Sequence, residues 1–398
     1  MGSNRVVDVL GRRLRLAVVG GGPGSFIGGI HRAAANQDGR YELVAGVVSS
    51  NPDHSREAAV EMGIDEQRAY GDVFEMMDAE RDRSDGADVV AIMTPNDSHH
   101  AYAIGALDRG FDVICDKPMT NTLEEAMDLV HKVKTTGLIF CLTHNYTGYP
   151  MVRQARAMAK DGRLGEIRLV QVEYVQGNKA DENDPDPREV LPWRFDPVRG
   201  GPSLVMGDIG THAHNLVRFV SGLEVTEVAA DVGHVAPGRL VDDFGGALLR
   251  FDNGARGSFW VTQAAAGVEN CLRIRVSGTR GTVEWHQEFP TKLVFRPLEG
   301  PVRIYTPNGP GVLPAAARAS RIVAGHPEGF QEAFANVYSD AAEAIAARRS
   351  GGQADPLSLD FPTEIDGAIG VRFVDAVIAS SEANGSWMDA SLSQEGVD

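Results

Sequence analysis

Cysteine is scarce in this chain of 398 residues. The three that occur, Cys115, Cys141 and Cys271, are too few and too widely spaced for a disulfide framework or a cysteine-based zinc site. Cys115 and Cys141 lie within apolar runs, where a buried free thiol is the expected state. The thiols therefore predict neither cross-links nor metal chemistry.

Basic residues are also in deficit, with 38 Lys and Arg against 55 Asp and Glu and a formal net charge of −17. A chain this acidic is a poor partner for nucleic acid or for an anionic membrane surface. Two further features are missing, a run of about 18 apolar residues and a charged-then-apolar leader. We expect a cytoplasmic protein of roughly two or three domains, in which residues 1–13 form a short tail.

The first third of the chain alternates between apolar strand-like runs and helix-like stretches. The helical stretches include residues 98–109 and 122–134, and the apolar runs occupy residues 16–19, 43–48, 89–93, 113–115 and 138–142. Continuous apolar strands that alternate with helices predict a parallel sheet covered on both faces. We therefore predict an α/β fold that begins with a dinucleotide-binding domain at residues 1–148.

The pattern changes after residue 150. Strand-like runs with turn signals between several of them follow at residues 167–175, 225–235, 245–251, 257–263, 272–277, 282–285 and 293–296. Helical patterns return at residues 329–347 and 362–380. This order predicts a second α/β domain at residues 149–398, with helices on one side of a mainly antiparallel sheet.

A glycine-rich turn follows the first predicted strand. A dinucleotide fingerprint places Gly-x-Gly-x-x-Gly between a strand and a helix, so that the backbone and the helix N-terminus face the pyrophosphate. Gly20 and Gly22 fit the first two positions, whereas the third position holds Ser25. If Gly28 takes that role, the loop is longer than the fingerprint. A plain structural turn is the alternative.

The residue that reads the ribose should follow the second strand, where an acid favours NAD and a nearby arginine favours NADP. This chain has Ser49 and Ser50 there, with Asp53 and Arg56 a little farther on. These residues leave the choice between the two cofactors open. Because the net charge of −17 disfavours the more anionic NADP, we predict NAD, with NADP as the alternative.

Two short segments carry groups that suit the oxidation of an alcohol. Lys117 follows the fourth predicted strand, at the edge where parallel sheets bind ligands. Asp208 and His212 are spaced i, i+4, so a helix would place both on one face, where the carboxylate orients the imidazole as a general base. The simpler alternatives are a surface lysine, a capping aspartate and a core histidine. A metal site that adds His214 is disfavoured, because His212 and His214 would lie on different helix faces.

These segments resemble the Gfo/Idh/MocA family of nicotinamide-dependent oxidoreductases. The resemblance rests on residues 20–31, 94–99, 116–118 and 200–212. It implies an N-terminal Rossmann domain, a C-terminal α/β domain with a large open sheet, and Lys117, Asp208 and His212 as catalytic residues. It also implies that the segment from Thr94 to His99 borders the nicotinamide. The candidates for cofactor binding are Gly20, Gly22, Ser25, Phe26, Ile27, Ser49, Ser50, Thr94, Pro95, Asn96, His99, Asp116 and Lys117.

The chain departs from the family pattern at positions that bear on the substrate. Asp116 stands where the family usually has Glu, and residues 144–149 replace a segment in which many relatives carry an Arg. Polar and aromatic groups in that segment suit a neutral, hydroxyl-rich ligand. Trp193 would equally suit a core position. The candidate substrate contacts are Lys117, His144, Tyr146, Trp193, Arg194, Asp208 and His212.

The residues and the resemblance together predict an NAD(P)-dependent oxidoreductase that acts on a secondary alcohol of a sugar, glycoside or cyclitol. One alternative is NAD-dependent glycoside cleavage through transient sugar oxidation and elimination. Another is a dinucleotide-binding sensor without turnover, which would need neither Lys117 nor His212. We predict no metal, and a homo-oligomer, dimer or tetramer, joined through the C-terminal sheet.

Overall fold

The computed structural model describes residues 4–180, 184–186 and 188–392. In these residues the first sheet has five strands, β1 (Leu14–Gly20), β2 (Tyr41–Val47), β3 (Val89–Met93), β4 (Asp112–Cys115) and β5 (Phe140–Leu142). All are parallel, in the order β2-β1-β3-β4-β5. β3 and β4 are buried along their whole length, as continuous apolar strands covered on both faces should be. The predicted parallel sheet is confirmed.

The described helices of this part are α1 (Arg5–Leu10), α2 (Phe26–Gln37), α3 (Pro52–Glu61), α4 (Val73–Asp82), α5 (His99–Asp108) and α6 (Leu123–Thr136). The prediction that residues 1–13 form a tail is wrong for Arg5–Leu10, which form helix α1. Val6 is fully buried, and the Arg5 guanidinium donates a hydrogen bond to Asp355 at 2.8 Å. Burial of Val6 and the ion pair of Arg5 therefore anchor α1 to the rest of the protein. The few apolar residues of this segment did not predict that anchoring.

The strand order sets the position of the site. β1 lies between β2 and β3, so the chain leaves the carboxyl ends of β1 and β3 in opposite directions. A crevice opens at such a point, and ligands of open parallel sheets bind there. The glycine-rich loop after β1, residues 94–96 after β3 and Lys117 after β4 all lie at this edge.

The second sheet has nine strands within the described residues. They are β6 (Ile167–Val175), β7 (Val225–Gly233), β8 (Phe244–Phe251), β9 (Arg256–Thr262), β10 (Cys271–Gly278), β11 (Gly281–His286), β12 (Leu293–Pro297), β13 (Arg303–Tyr305) and β14 (Met388–Asp389). Their order is β13-β12-β11-β10-β6-β9-β8-β7-β14. β6 and β9 pair in parallel, and the other neighbours are antiparallel. The predicted mainly antiparallel sheet is confirmed.

Helices cover one face of the second sheet. The described helices of this part are α7 (Pro150–Lys160), α8 (Pro197–Gly200), α9 (Thr211–Ser221), α10 (Pro314–Arg318), α11 (Phe330–Ser350) and α12 (Glu364–Glu382). α7, α9 and α12 pack on the sheet. The opposite face carries exposed Leu169, Leu248 and Trp260. Within the described residues, no helix has the length and hydropathy needed to cross a bilayer.

Packing crosses the predicted domain boundary. α11 follows strands β6 to β13 of the second sheet in the chain, yet its Phe334 and Tyr338 belong to the same apolar core as β1 and α2. The Tyr41 hydroxyl donates to the carbonyl oxygen of Tyr338 at 2.8 Å. The division at residues 148 and 149 stays a prediction, while a late helix completes the core of the first domain.

The glycine loop gives a matched test of packing. A Cβ on Gly28 would lie 2.1 Å from the Gly21 carbonyl oxygen, whereas a Cβ on Gly29 would meet nothing within 4 Å. Gly28→Ala should lower the free energy of unfolding by about 1–3 kcal/mol, because the loop must move. Gly29→Ala should raise it by about 0.5–1 kcal/mol, because alanine favours the helix. Denaturant unfolding without ligand measures both. Equal effects of the two substitutions would contradict the close contact.

Candidate active site

Lys117 reaches from the first domain to the second. It follows β4 and Asp116, and its Nζ donates to Asp208 twice, to the carbonyl oxygen at 2.5 Å and to Oδ1 at 3.1 Å. The lysine side chain is 14% exposed, so it is not the surface lysine of the simpler interpretation. The ammonium thus lies at the junction of the two domains.

The Asp208 carboxylate is shared by three partners. Besides Lys117, Gln263 donates its amide N–H to Oδ2 at 2.8 Å, and the Arg194 guanidinium lies 3.4 Å from Oδ1. Burial alone would raise the pKa of Asp208, but the charges of Lys117 and Arg194 and the hydrogen bonds hold that pKa below its ordinary value. Asp208 is therefore an anion at neutral pH.

The expected contact between the Asp208 carboxylate and His212 does not form. Residues Met206–Gly210 make a π-helical turn directly before α9, so the i, i+4 spacing does not fall on a regular α-helical face. No hydrogen bond joins Asp208 to His212 in the described residues. The Nδ1 atom of His212 instead lies 3.4 Å from Nδ1 of His144.

His212 lies in an aromatic, buried setting. Its ring packs edge-on against Tyr146, with centroids 4.9 Å apart, and against His144, with centroids 5.2 Å apart. Burial lowers the pKa of His212 well below 6.5, and the positive charge of Lys117 lowers it further. The imidazole is therefore neutral at neutral pH, which is the form that accepts a proton.

The glycine loop is built as a close cradle. Gly28, not Ser25, makes the tight contact between helix and loop, because a Cβ on Gly28 would collide with Gly21. Ser25 caps α2 by accepting the Gly28 N–H at 3.1 Å. A Cβ on Gly20 would lie 2.7 Å from the Met93 carbonyl, and one on Gly22 would lie 2.5 Å from the Val48 carbonyl. The loop therefore brings bare backbone and a capped helix N-terminus to the crevice.

Behind the crevice, His99 joins two loops. Its Nδ1 lies 2.8 Å from the Pro118 carbonyl and its Nε2 lies 2.9 Å from the Thr94 carbonyl. His99 is buried and does not line the cavity. Through these contacts it holds the loops after β3 and β4 together, and its role in cofactor binding stays a prediction.

Asp116 is a largely buried anion beside Lys117, with 16% of its side chain exposed. Thr143 donates its hydroxyl to Oδ1 at 2.7 Å, and Nε2 of His31 lies 3.9 Å from the same oxygen. Burial would raise the pKa of Asp116, but His31, Lys117 and Thr143 together lower it. The shortened acid at this position thus keeps a charge next to the lysine.

The candidates after β2 directly follow Val48, whose carbonyl oxygen would lie 2.5 Å from a Cβ on Gly22 in the glycine loop. The Ser49 hydroxyl accepts the Asn51 N–H at 3.2 Å, and Arg56 pairs with Asp53 at 3.3 Å on the surface. Ser49 and Ser50 do not line the main cavity. Positions 49 and 50, at the end of β2, therefore offer hydroxyl groups and no carboxylate.

A cavity of about 620 Å³ joins the segments. The sequence-predicted residues that line it are Ser25, Phe26, Ile27, Thr94, Pro95, Asn96, Asp116, Lys117, Tyr146, Trp193, Arg194, Asp208 and His212. His144, predicted as a substrate contact, does not line it, because it lies buried behind His212. Gly20 and Gly22 form the loop beside it.

Sequence reasoning missed an amide wall of the cavity. Gln263 donates to Gln176 at 3.2 Å, Gln176 donates to Asn270 at 2.7 Å, and the Asn270 amide lies 3.5 Å from the Tyr146 hydroxyl. Gln176 follows β6 and Asn270 precedes β10, and these two strands pair at Val175 and Cys271. Strand pairing brings the residues together, and no local motif marked it.

The metal alternative receives no support from His214. Its ring stacks on Phe373 with centroids 4.0 Å apart, away from His212. The described residues contain no group of three His, Cys, Asp or Glu side chains arranged to hold a metal ion.

The chain matches two family models. Residues 14–146 match an oxidoreductase family with an NAD-binding Rossmann fold, and residues 152–284 match the GFO/IDH/MocA C-terminal domain. An oxidoreductase structure from Sinorhizobium meliloti shares 47% identity and a TM-score of 0.85, over 95% of this chain and 99% of that one.

Two further relatives carry ligand or substrate names. An inositol dehydrogenase homolog from Azotobacter vinelandii, solved with NADH and myo-inositol, shares 35% identity and a TM-score of 0.86, over 97% of this chain and 99% of that one. Levoglucosan dehydrogenase of Pseudarthrobacter phenanthrenivorans is 28% identical, over 86% of this chain and 88% of that protein. The chain therefore belongs to the Gfo/Idh/MocA family of oxidoreductases, and its N-terminal part is an NAD-binding Rossmann domain.

Proposed function

We propose that the protein is an NAD-dependent dehydrogenase that oxidises a secondary alcohol of a sugar, glycoside or cyclitol. The observation that carries the proposal is the convergence of Lys117, Asp208 and His212 on one cavity beside the loops of the dinucleotide-binding sheet. Relatives solved with myo-inositol or named for levoglucosan support the substrate class.

The residues present fit NAD. The loop from Gly20 to Gly28 leaves no room for a Cβ at Gly20, Gly22 or Gly28, as a backbone cradle for a pyrophosphate requires. The N-terminus of α2 faces the same crevice. When bound there, the nicotinamide supplies a hydride acceptor. Thr94, Pro95 and Asn96 line the cavity and are the residues that would border the nicotinamide.

The protein's own groups handle the proton and the charge. Neutral His212 accepts the hydroxyl proton as general base. An ammonium has three N–H bonds, and Asp208 accepts two hydrogen bonds from Lys117. The third N–H remains for the substrate oxygen, where the cation stabilises the developing alkoxide. Asp208 therefore acts by holding Lys117.

The cavity suits a neutral polyol. The charges of Lys117 and Arg194 are matched by those of Asp116 and Asp208, so no excess cation is available for an acidic ligand. Trp193 lies with its ring 4.6 Å from the Arg194 guanidinium and offers a flat surface to a sugar ring. The amide wall supplies donors and acceptors for hydroxyl groups.

A homo-oligomer through the second sheet belongs to the same proposal. Leu169, Leu248 and Trp260 are exposed on the face that the helices leave open. An apolar patch of this kind suits a second copy of the chain. The cytoplasmic location stays a prediction from composition.

A panel of inositols, anhydrosugars and aldoses, followed by NADH absorbance, tests the function. Stoichiometric NADH with a ketone or lactone product supports a dehydrogenase. Cleaved glycoside without net NADH would support the elimination alternative instead. Tight NAD binding with no turnover of any member would favour the sensor.

His212→Ala should lower kcat for the best polyol by roughly 100-fold or more, with NAD affinity little changed. His326→Ala, on the surface, is the control. Because the pKa of His212 is lowered below 6.5, the neutral base is present above that pH and is lost only as the pH falls through the lowered value. The acid limb of kcat/KM should therefore lie below pH 6.5. An acid limb above that value would contradict the assignment.

Lys117→Ala should remove most activity, because a cation beside the alkoxide acts chiefly in the transition state. Lys117→Arg should restore little, since a planar guanidinium does not replace a compact ammonium. Lys292→Ala, on the exposed surface, is the matched control. Steady-state kinetics and NAD titration separate the roles. If Lys117→Ala weakens only NAD binding and keeps kcat, the lysine is a cofactor ligand.

Ser49→Asp should sharpen the preference for NAD over NADP, because a carboxylate accepts hydrogen bonds from the ribose and repels a 2′-phosphate. Ser84→Asp, exposed on the segment that leads into β3, adds the same charge at the opposite edge of the sheet. Calorimetric titration with both cofactors measures the change. Tighter NADP binding by the unmodified protein would show that Arg56 leaves Asp53 for the phosphate.

A further inference from the structure

Two buried imidazoles face each other behind the cavity wall. Nδ1 of His144 and Nδ1 of His212 are 3.4 Å apart, and the rings meet at 80°. His212 lines the cavity, whereas His144 lies outside it. The contact therefore joins the proposed base to a side chain that does not line the cavity.

The His144 ring starts from a fixed backbone. The backbone N–H of His144 donates to the Leu142 carbonyl at 2.9 Å. The backbone carbonyl of His144 accepts the Thr147 N–H at 3.2 Å and the Thr147 hydroxyl at 2.9 Å. On the other side of the contact, Tyr146 packs edge-on against the His212 ring and limits the movement of that ring. The contact between the two imidazoles is thus held from both sides.

The proton count allows two arrangements. Burial lowers the pKa of His144 to about 3, against an opposing effect of Asp366, and lowers that of His212 as well. Lys117 and Arg218 also disfavour a charge on His144, while Asp116 favours one on either ring. Each neutral imidazole carries one N–H. A hydrogen bond between the two Nδ1 atoms therefore needs one ring as donor and the other as acceptor.

The chemistry of the cavity selects one arrangement. With Nδ1 of His212 turned to His144, Nε2 is the nitrogen left for a substrate hydroxyl. It accepts a proton only if the single N–H of His212 is on Nδ1. The Asp208 carboxylate does not set this tautomer, because its hydrogen bonds come from Lys117 and Gln263.

We propose that His144 is the positioning residue of His212: its Nδ1 accepts the Nδ1–H of His212 and keeps Nε2 unprotonated toward the substrate. The inference rests on the proposed function. When the alcohol is oxidised, its O–H proton moves to Nε2, its C–H leaves as hydride to NAD, and the Nδ1 proton stays on His212. His144 stays neutral throughout and acts as a hydrogen-bond acceptor where other enzymes use a carboxylate.

The tautomers are measured directly by long-range ¹H–¹⁵N NMR of the full-length protein with ¹⁵N-labelled histidine, at neutral pH. The His144→Asn and His212→Gln variants assign the two signals. We expect His212 as the Nδ1–H form and His144 as the Nε2–H form. His212 in the Nε2–H form, or as imidazolium, would overturn the proposal. This readout needs no substrate, so it stands even if no polyol is oxidised and the proposed function fails.

Kinetics of a near-isosteric pair test the consequence. His144→Leu removes the acceptor and should lower kcat by roughly 10–100-fold, as loss of such supporting hydrogen bonds does. His144→Asn offers an amide oxygen near the position of Nδ1 and should keep kcat within about 5-fold of the unmodified protein, because a hydrogen-bond acceptor remains there. NAD affinity should be the same in both, and the unfolding midpoint checks that each folds. Equal kcat in the two variants would show that His144 only fills space.

Discussion

Lys117 and Asp208 are 91 positions apart in the chain, and their hydrogen-bonded ion pair holds the two domains together at the site. The pair is largely buried, with 14% and 26% of the side chains exposed. Taking both charges out of water costs about as much as their attraction returns, so such a pair adds little net stability. Its effect is on position: it sets the ammonium at the cavity wall, where Arg194 and Gln263 share the carboxylate. In the proposed mechanism, the remaining N–H of the lysine meets the substrate oxygen.

The same ion pair shapes the neighbouring base. A cation close to His212 disfavours a second positive charge, and burial acts in the same direction, so the imidazole is neutral before reaction. In the proposed mechanism, a neutral base beside a fixed cation separates the two tasks of alcohol oxidation, removal of the proton and stabilisation of the oxygen. Once His212 is protonated, however, it is an unfavourable imidazolium, which the charge of Asp116 favours and, in our proposal, the hydrogen bond to His144 supports.

Local pattern predicted much of this arrangement. Apolar strands, a glycine turn and Lys117 after β4 are each visible in the sequence, and the rule that parallel strands bind ligands at their carboxyl ends joins them. Features that depend on distant pairing were not predictable. Strand pairing at Val175 and Cys271 builds the amide wall, α11 completes a core far from it in sequence, and the π-helical turn at Met206–Gly210 breaks the regular spacing of Asp208 and His212.

The central claim is that this site moves a hydride from a polyol carbon to NAD while His212 takes the hydroxyl proton. The most direct measurement uses the preferred polyol with deuterium on its ring carbons, followed by mass spectrometry of cofactor and product. The account predicts one deuterium atom in the reduced nicotinamide for each ketone formed. With unlabelled polyol in D₂O, it predicts no deuterium in the reduced nicotinamide. Unlabelled NAD⁺ recovered beside a cleaved or dehydrated sugar, or reduced cofactor without the label, would contradict it.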